Sequence, residues 1–262
     1  MRRVLLTGAT GRIGSSFFAA MRDTYSFRLA SRSVAKMTGV EPHDKFPLDI
    51  ADLDACQEAC RGIDTVVHLA ANPSTKADFY DALLDQNIKG VYNIFRAAKD
   101  QGCRRVVYAS SIQLSEGYPL DTQVSEDMPT KAVNMYGVCK AFAESAAHYF
   151  AAVEELSCLC VRVGNYQGNS DSMVADARRL SAWVSERDMN QLFARAIEAD
   201  DELMYAILHG VSDNRFKRLD IRKTRELVGY APQDNSFDFF DTGIDNGARW
   251  YTEAPNRRPA TG

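Results

Sequence analysis

The chain lacks any apolar run that approaches a membrane span, so no helical bilayer crossing is expected. Its opening, MRRVLLTG, runs straight into a structured pattern and is too short for a signal sequence, so a cytoplasmic protein is expected. Charge of neither sign dominates: 31 Lys and Arg against 35 Asp and Glu leave a formal −4. That balance argues against nucleic acid or an anionic membrane as a partner. The six cysteines, at 56, 60, 103, 139, 158 and 160, include no CxxC pair. Cys56 and Cys60 sit one helical turn apart and Cys158 and Cys160 share a strand face, so buried free thiols in a reducing compartment are expected. The four histidines (43, 68, 148, 209) show no ligand spacing, and no metal site is expected. Repeats and low-complexity tracts are missing too. What remains is a globular composition, 45% hydrophobic and 25% charged over 262 residues, enough for one large domain or a core with a smaller lobe.

What is present is an alternation of short apolar runs and longer helical patterns. Residues 2–6, 27–30, 65–70, 104–110 and 156–163 are rich in Val, Leu and Ile without strict alternation, as strands buried on both faces of a parallel sheet are. Helical patterns cover Ile13 to Arg22, Ala51 to Arg61, Ala77 to Gln101 and Met135 to Val153. Residues 46–54 supply a further short strand and then Asp52 as a helix N-cap. Repeated βα units predict an α/β fold, a doubly wound parallel sheet of the Rossmann type. After Gly164 the pattern changes. A polar, irregular stretch (165–179) precedes a helical one (180–199), a short strand (204–210) and a last helix (220–230). We read 1–164 as the dinucleotide-binding core and 165–262 as a substrate-side lobe on the same sheet, with 253–262 frayed.

TGATGRIG, residues 7–14, follows the first strand directly and opens the first helix. Gly8 permits a tight turn, Gly11 lets backbone approach a pyrophosphate, and Gly14 allows close helix–strand packing. Such a turn can also be purely structural, but the strand–turn–helix context is the one nucleotide binding demands. Tyr136 and Lys140 lie four apart on a predicted helix and share a face. A neighbouring ammonium favours phenolate and lowers the phenol's pKa. Ser111 ends a parallel strand, where such sheets bind ligands, and its hydroxyl suits a developing oxyanion.

The spacing GxxGxxG behind Thr7 resembles the extended short-chain dehydrogenase/reductases, the NAD-dependent epimerase/dehydratase family. The likeness recurs in order at Asp49 (DIADLD), HLAA (68–71), Asn87 (QNIKGVYNIFRAA), YASS (108–111) and the Tyr-x-x-x-Lys of YGVCK. It implies catalysis by Ser111, Tyr136 and Lys140, with Tyr136 as base and Lys140 also on the cofactor ribose. It further implies cofactor contacts from Gly8, Thr10, Gly11, Arg12, Ile13 and Gly14, and from Asp49 and Ile50 near the adenine. Leu69, Ala70, Ala71, Asn87 and Val163 complete the implied set. Where NAD-preferring relatives end the second strand in an acid, this chain has Ser31-Arg32. Ser31 removes repulsion of a 2′-phosphate and Arg32 offers a fork for it, with Arg12 nearby, so NADP is favoured over NAD. A solvated Arg32, with NAD held through Asp49 and main chain, is the alternative.

Residues 178–199, 208–214 and 219–235 resemble the uronate dehydrogenases of that family. This implies oxidation of a hexuronate at C1 to an aldarolactone, with Arg178 on the carboxylate and Ser74 and Gln113 near the sugar hydroxyls. Arg178 can equally be an exposed arginine at a helix start. Three departures stand out: Ile112-Gln113 where the family has Asn-His, Leu219-Asp220 where it has Trp-Asp, and the missing ribose acid. A reductase or epimerase of another small carbonyl or sugar, and a non-catalytic NADP-binding regulator, are the competing readings. The family also implies a homodimer or higher homo-oligomer through the two long helices, with Leu83, Leu84, Phe142 and Phe150 as interface or core positions.

Overall fold

The computed structural model describes residues 1–166 and 176–239. Residues 167–175 of the polar stretch and the tail expected to fray lie outside the described residues. In chain order the elements are β1 (Arg3–Thr7), α1 (Arg12–Met21), β2 (Ser26–Ser31), β3 (Asp44–Pro47), α2 (Leu53–Cys60) and β4 (Thr65–His68). A π-helical segment, Phe79–Lys89, then leads into α3 (Gly90–Asp100), β5 (Arg105–Ser111), α4 (Met135–Ala152) and β6 (Ser157–Val163). The C-terminal part holds β7 (Asn165–Tyr166), α5 (Ala177–Ala182), β8 (Trp183–Val184), α6 (Glu186–Ile197), β9 (Tyr205–Gly210), α7 (Arg222–Val228) and α8 (Ser236–Phe239).

Seven strands form one parallel sheet in the order β3-β2-β1-β4-β5-β6-β9. Strand order reverses between β1 and β4, which opens a crevice at their C-terminal ends. Successive strand residues feed opposite layers. Val4, Leu6, Val67, Val107 and Leu159 pack with Phe17 of α1 and Phe193 of α6. Leu5, Val66, Val106, Tyr108 and Cys158 pack with α2, α3 and α4. Both faces are covered, which is why the strands read as continuous apolar runs. β9 pairs with β6 from Cys158↔Tyr205 to Val163↔Gly210, so the C-terminal part extends the same sheet.

Two expectations need correction. The pattern over 180–199 is not one helix: β8 interrupts it, pairing Trp183 and Val184 with Asn165 and Tyr166. Ser185 then restarts α6 as an N-cap, its Oγ accepting from Asp188 N at 3.1 Å. The stretch Ala77 to Gln101 is also divided, π-helical before Gly90 and α-helical after it. Apolar periodicity over eleven residues does not separate the two pitches. Asp52 caps α2, as expected, accepting from Ala55 N at 3.1 Å.

Candidate active site

The glycine turn is built by close approach. Gly8 has φ +68°, and a Cβ there would stand 2.8 Å from Ala70 N; a Cβ on Gly14 would stand 2.3 Å from Gly8 O. Thr7 fastens the neighbouring strand end, its Oγ1 accepting from Leu69 N and Ala70 N at 3.2 Å each. With both lone pairs used, Thr7 donates its proton to His68 Nδ1 at 2.7 Å. Burial holds His68 neutral, its pKa pushed down to about 3.

This turn opens on a cleft of 620 Å³ that also reaches Ser31, Arg32, Ile50, Leu69, Ala70, Ala71, Ser111, Gln113, Tyr136, Lys140, Val163 and Arg178. Thr10, Arg12 and Ile13 line it beside the glycines. The cradle fits a dinucleotide: the N-terminal end of α1, behind its N-cap Gly11, lines the cleft, and a larger residue at 8 or 14 would collide with backbone. A bound nicotinamide dinucleotide would supply the hydride acceptor.

The expected trio of Ser111, Tyr136 and Lys140 lines one cleft, but its electrostatics differ from expectation. Lys140 is fully buried, donates to Ala109 O at 2.6 Å, and sits over the rings of Tyr108 (4.6 Å) and Tyr136 (5.5 Å). Burial drives its pKa down to about 7. Burial also raises the Tyr136 phenol, while interaction with the Ser111 hydroxyl works in the opposite sense. Burial is the larger influence, so the phenol lies above its ordinary value where the spacing with Lys140 led us to expect a lowering. Ser111 Oγ accepts from Gln113 N at 3.2 Å and so shapes the turn after β5. Beneath the trio, Glu144 on the same helix accepts from Ser110 Oγ (2.6 Å) and from Arg162 Nε and Nη2 (2.9 Å each). This buried pair ties α4 to the ends of β5 and β6.

Other expected site residues take supporting positions. Asn87 clasps the loop after β4, accepting from Asn72 N at 2.8 Å and donating to Asn72 O at 3.0 Å. Asp49 is exposed and accepts from Ala51 N at 3.0 Å; its neighbours Leu48 and Ile50 line the cleft. Ser74 is exposed and accepts from Lys76 N at 3.2 Å; Pro73 and Thr75 line the cleft beside it. Ser31 Oγ accepts from Ser33 N and from Thr10 Oγ1, both at 3.2 Å, which leaves Arg32 at the rim. Gln113 Oε1 accepts from Asn134 Nδ2 at 2.8 Å, and Asn134 caps α4 through Gly137 N at 2.8 Å. Ser33, Asn165 and Tyr166 also line the cleft. They carry no motif and were not singled out in the sequence.

Arg178 reaches the cleft but holds a protein carboxylate: its Nε and Nη2 donate to Glu116 Oε2 and Oε1 at 2.8 and 2.6 Å. Sequence reasoning missed Glu116, because nothing local marks a partner 62 residues from its arginine.

The chain matches the model of the NAD dependent epimerase/dehydratase family over residues 4–199. It is 33% identical to the NAD-dependent glucose-6-phosphate dehydrogenase of Haloferax volcanii, covering 90% of this chain and 95% of that one. It is 32% identical to the L-arabinose 1-dehydrogenase (NAD(P)(+)) of the same organism, covering 90% and 98%. The crystal structure of uronate dehydrogenase from Agrobacterium tumefaciens superposes with a TM-score of 0.81 at 28% identity, covering 99% and 92%. With its glycine cradle, its Ser111–Tyr136–Lys140 constellation and these relatives, the chain belongs to the NAD dependent epimerase/dehydratase family and is a nicotinamide-dependent dehydrogenase.

Proposed function

We propose that the protein oxidises the ring form of a monosaccharide at C1 to its lactone. The anomeric O–H gives its proton to Tyr136 as the C1–O bond becomes a carbonyl, and a nicotinamide dinucleotide held by the glycine cradle would accept the hydride lost from C1. The observation that carries this reading is one cleft holding the glycine cradle, Ser111, Tyr136 and Lys140, with Gln113 and Arg178 beside them. Ser111 orients the reacting hydroxyl and shares its developing charge. The named relatives dehydrogenate a sugar, a sugar phosphate and a sugar acid, which supports the class. The narrower reading is a hexuronate with Arg178 on its carboxylate. It asks Arg178 to serve two carboxylates at once.

The end of β2 carries Ser31 and Arg32 in the cleft and no carboxylate, which supports NADP over NAD. Initial rates with galacturonate, glucuronate and neutral aldoses, each with NAD and with NADP, test both parts. We expect sugar-dependent cofactor reduction that Tyr136→Phe lowers at least ~10²-fold, and NADP ahead of NAD. Arg32→Ala should weaken NADP about tenfold and leave NAD little changed. Absence of turnover with every sugar and both cofactors would sink the reading.

No described helix is long and apolar enough to cross a membrane. Six free, buried thiols support a reducing compartment, the cytoplasm. We also read the protein as a homodimer. Met135, Val138, Phe142, Tyr149 and Val153 stand exposed along one stripe of α4, with Tyr80 and Tyr92 exposed on the segments before it. Leu83 and Phe150 are core residues and take no part in that face.

A further inference from the structure

The Arg178–Glu116 pair is bidentate, with side-chain exposures of 31% and 12%. It uses the side-on edge of the guanidinium, Nε and Nη2, and leaves Nη1 out of the pair. Arg218 stands close enough for its charge to be felt, yet its Nη1 and Nη2 donate to the carbonyls of Ser115, Tyr118, Pro119 and Thr122. Among the described residues Glu116 therefore has one direct counter-ion, and that counter-ion is Arg178, which lines the cleft.

Resting on the C1-oxidation reading above, we propose that Glu116 is a specificity-determining residue that selects a sugar uncharged at the end remote from C1. A carboxylate or phosphate arriving there would share one guanidinium with Glu116, and two like charges in a partly desolvated cleft repel. Hydroxyl groups meet no such conflict. Nη1 donates to them without breaking the ion pair. Gln113 fits the same chemistry: its Oε1 is engaged by Asn134, so it offers the amide N–H₂ to a hydroxyl. The departure from Asn-His to Ile112-Gln113 lies four and three residues before Glu116, and both of these residues line the cleft beside Arg178.

L-Arabinose, D-galactose and D-galacturonate test this directly, since they share one ring stereochemistry and carry H, CH₂OH or COO⁻ at C5. The quantity read is kcat/KM for each sugar with wild type, Glu116→Gln and the double variant Glu116→Gln/Arg178→Gln. Wild type should favour the better neutral sugar over galacturonate at least tenfold. Glu116→Gln should shift that ratio at least tenfold toward galacturonate, and the double variant should lose the shift. A merely structural Glu116 lowers all three sugars together and leaves the ratio unchanged, which overturns the proposal. So does a wild-type preference for galacturonate. Kd ratios measured on Tyr136→Phe, which retains the pair, repeat the comparison without turnover. If wild type oxidises none of the sugars, the C1 reading fails and this proposal with it; oxidation with the wrong charge preference sinks the proposal alone.

Discussion

Tyr136 holds its proton more tightly than a free phenol, because burial disfavours the phenolate and Ser111 only partly compensates. A base must be unprotonated to work, and a raised pKa means the active fraction falls as pH falls. We therefore expect kcat/KM for sugar oxidation to climb steadily from pH 7 toward 10. Ser111→Ala removes the lowering interaction and should move the inflection to higher pH while reducing the rate at every pH. An inflection unmoved by Ser111→Ala in a full pH profile would mean the hydroxyl does not act on the phenol. The trio itself was legible, because Tyr136 and Lys140 are one helical turn apart and Ser111 ends a recognisable strand. Their pKa values were not, since they depend on burial that no spacing reveals. Lys140 was expected to act as a full cation, yet complete burial pushes its pKa down to about 7. Glu116 was invisible for a related reason: its meaning comes from Arg178, which the fold brings to it from another element.

Among the elements, β5 does more than present Ser111. Arg105, read in the sequence as an ordinary strand residue, is completely buried, and its Nε donates to Ser157 Oγ at 2.9 Å. Its terminal nitrogens donate to the carbonyls of Ala196, Ile197, Ala199 and Asp200 at 3.1, 3.3, 2.7 and 2.6 Å. These are carbonyls at and beyond the end of α6, which lack helical partners of their own and carry the negative end of its dipole. Arg105→Ala strips the Ala196 and Ala199 carbonyls of their buried donor and should destabilise the protein by roughly 2–4 kcal/mol. Chemical denaturation with an unchanged midpoint would refute this. The strands were readable because a sheet covered on both faces demands apolar runs. The break between α5 and α6 was not, because Trp183 and Val184 are extended only by pairing with Asn165 and Tyr166. Such pairing is a tertiary fact that overrides a continuous helical pattern.

Among the described residues an exposed apolar stripe runs along α4, the helix that carries Tyr136 and Lys140 on another side. If two copies bury that stripe, Phe142→Glu with Tyr149→Glu should give a monomer by light scattering, where the parent chain gives a dimer. An unchanged mass for the double variant would rule out this face. Of the four interface candidates offered by the sequence, Phe142 is exposed and Leu83 and Phe150 are core. Helical spacing alone cannot separate a helix's inward stripe from an outward apolar one. The six cysteines carry a different consequence. All are buried, and Cys56, Cys60, Cys103, Cys158 and Cys160 belong to a single layer of the core. Burial also keeps the Cys56 thiol protonated, its pKa pushed up to about 12. A thiol-reactive dye thus reaches those five thiols only when that layer parts from the sheet. The chain carries its own stopwatch for unfolding, and its dial is the rate at which colour develops.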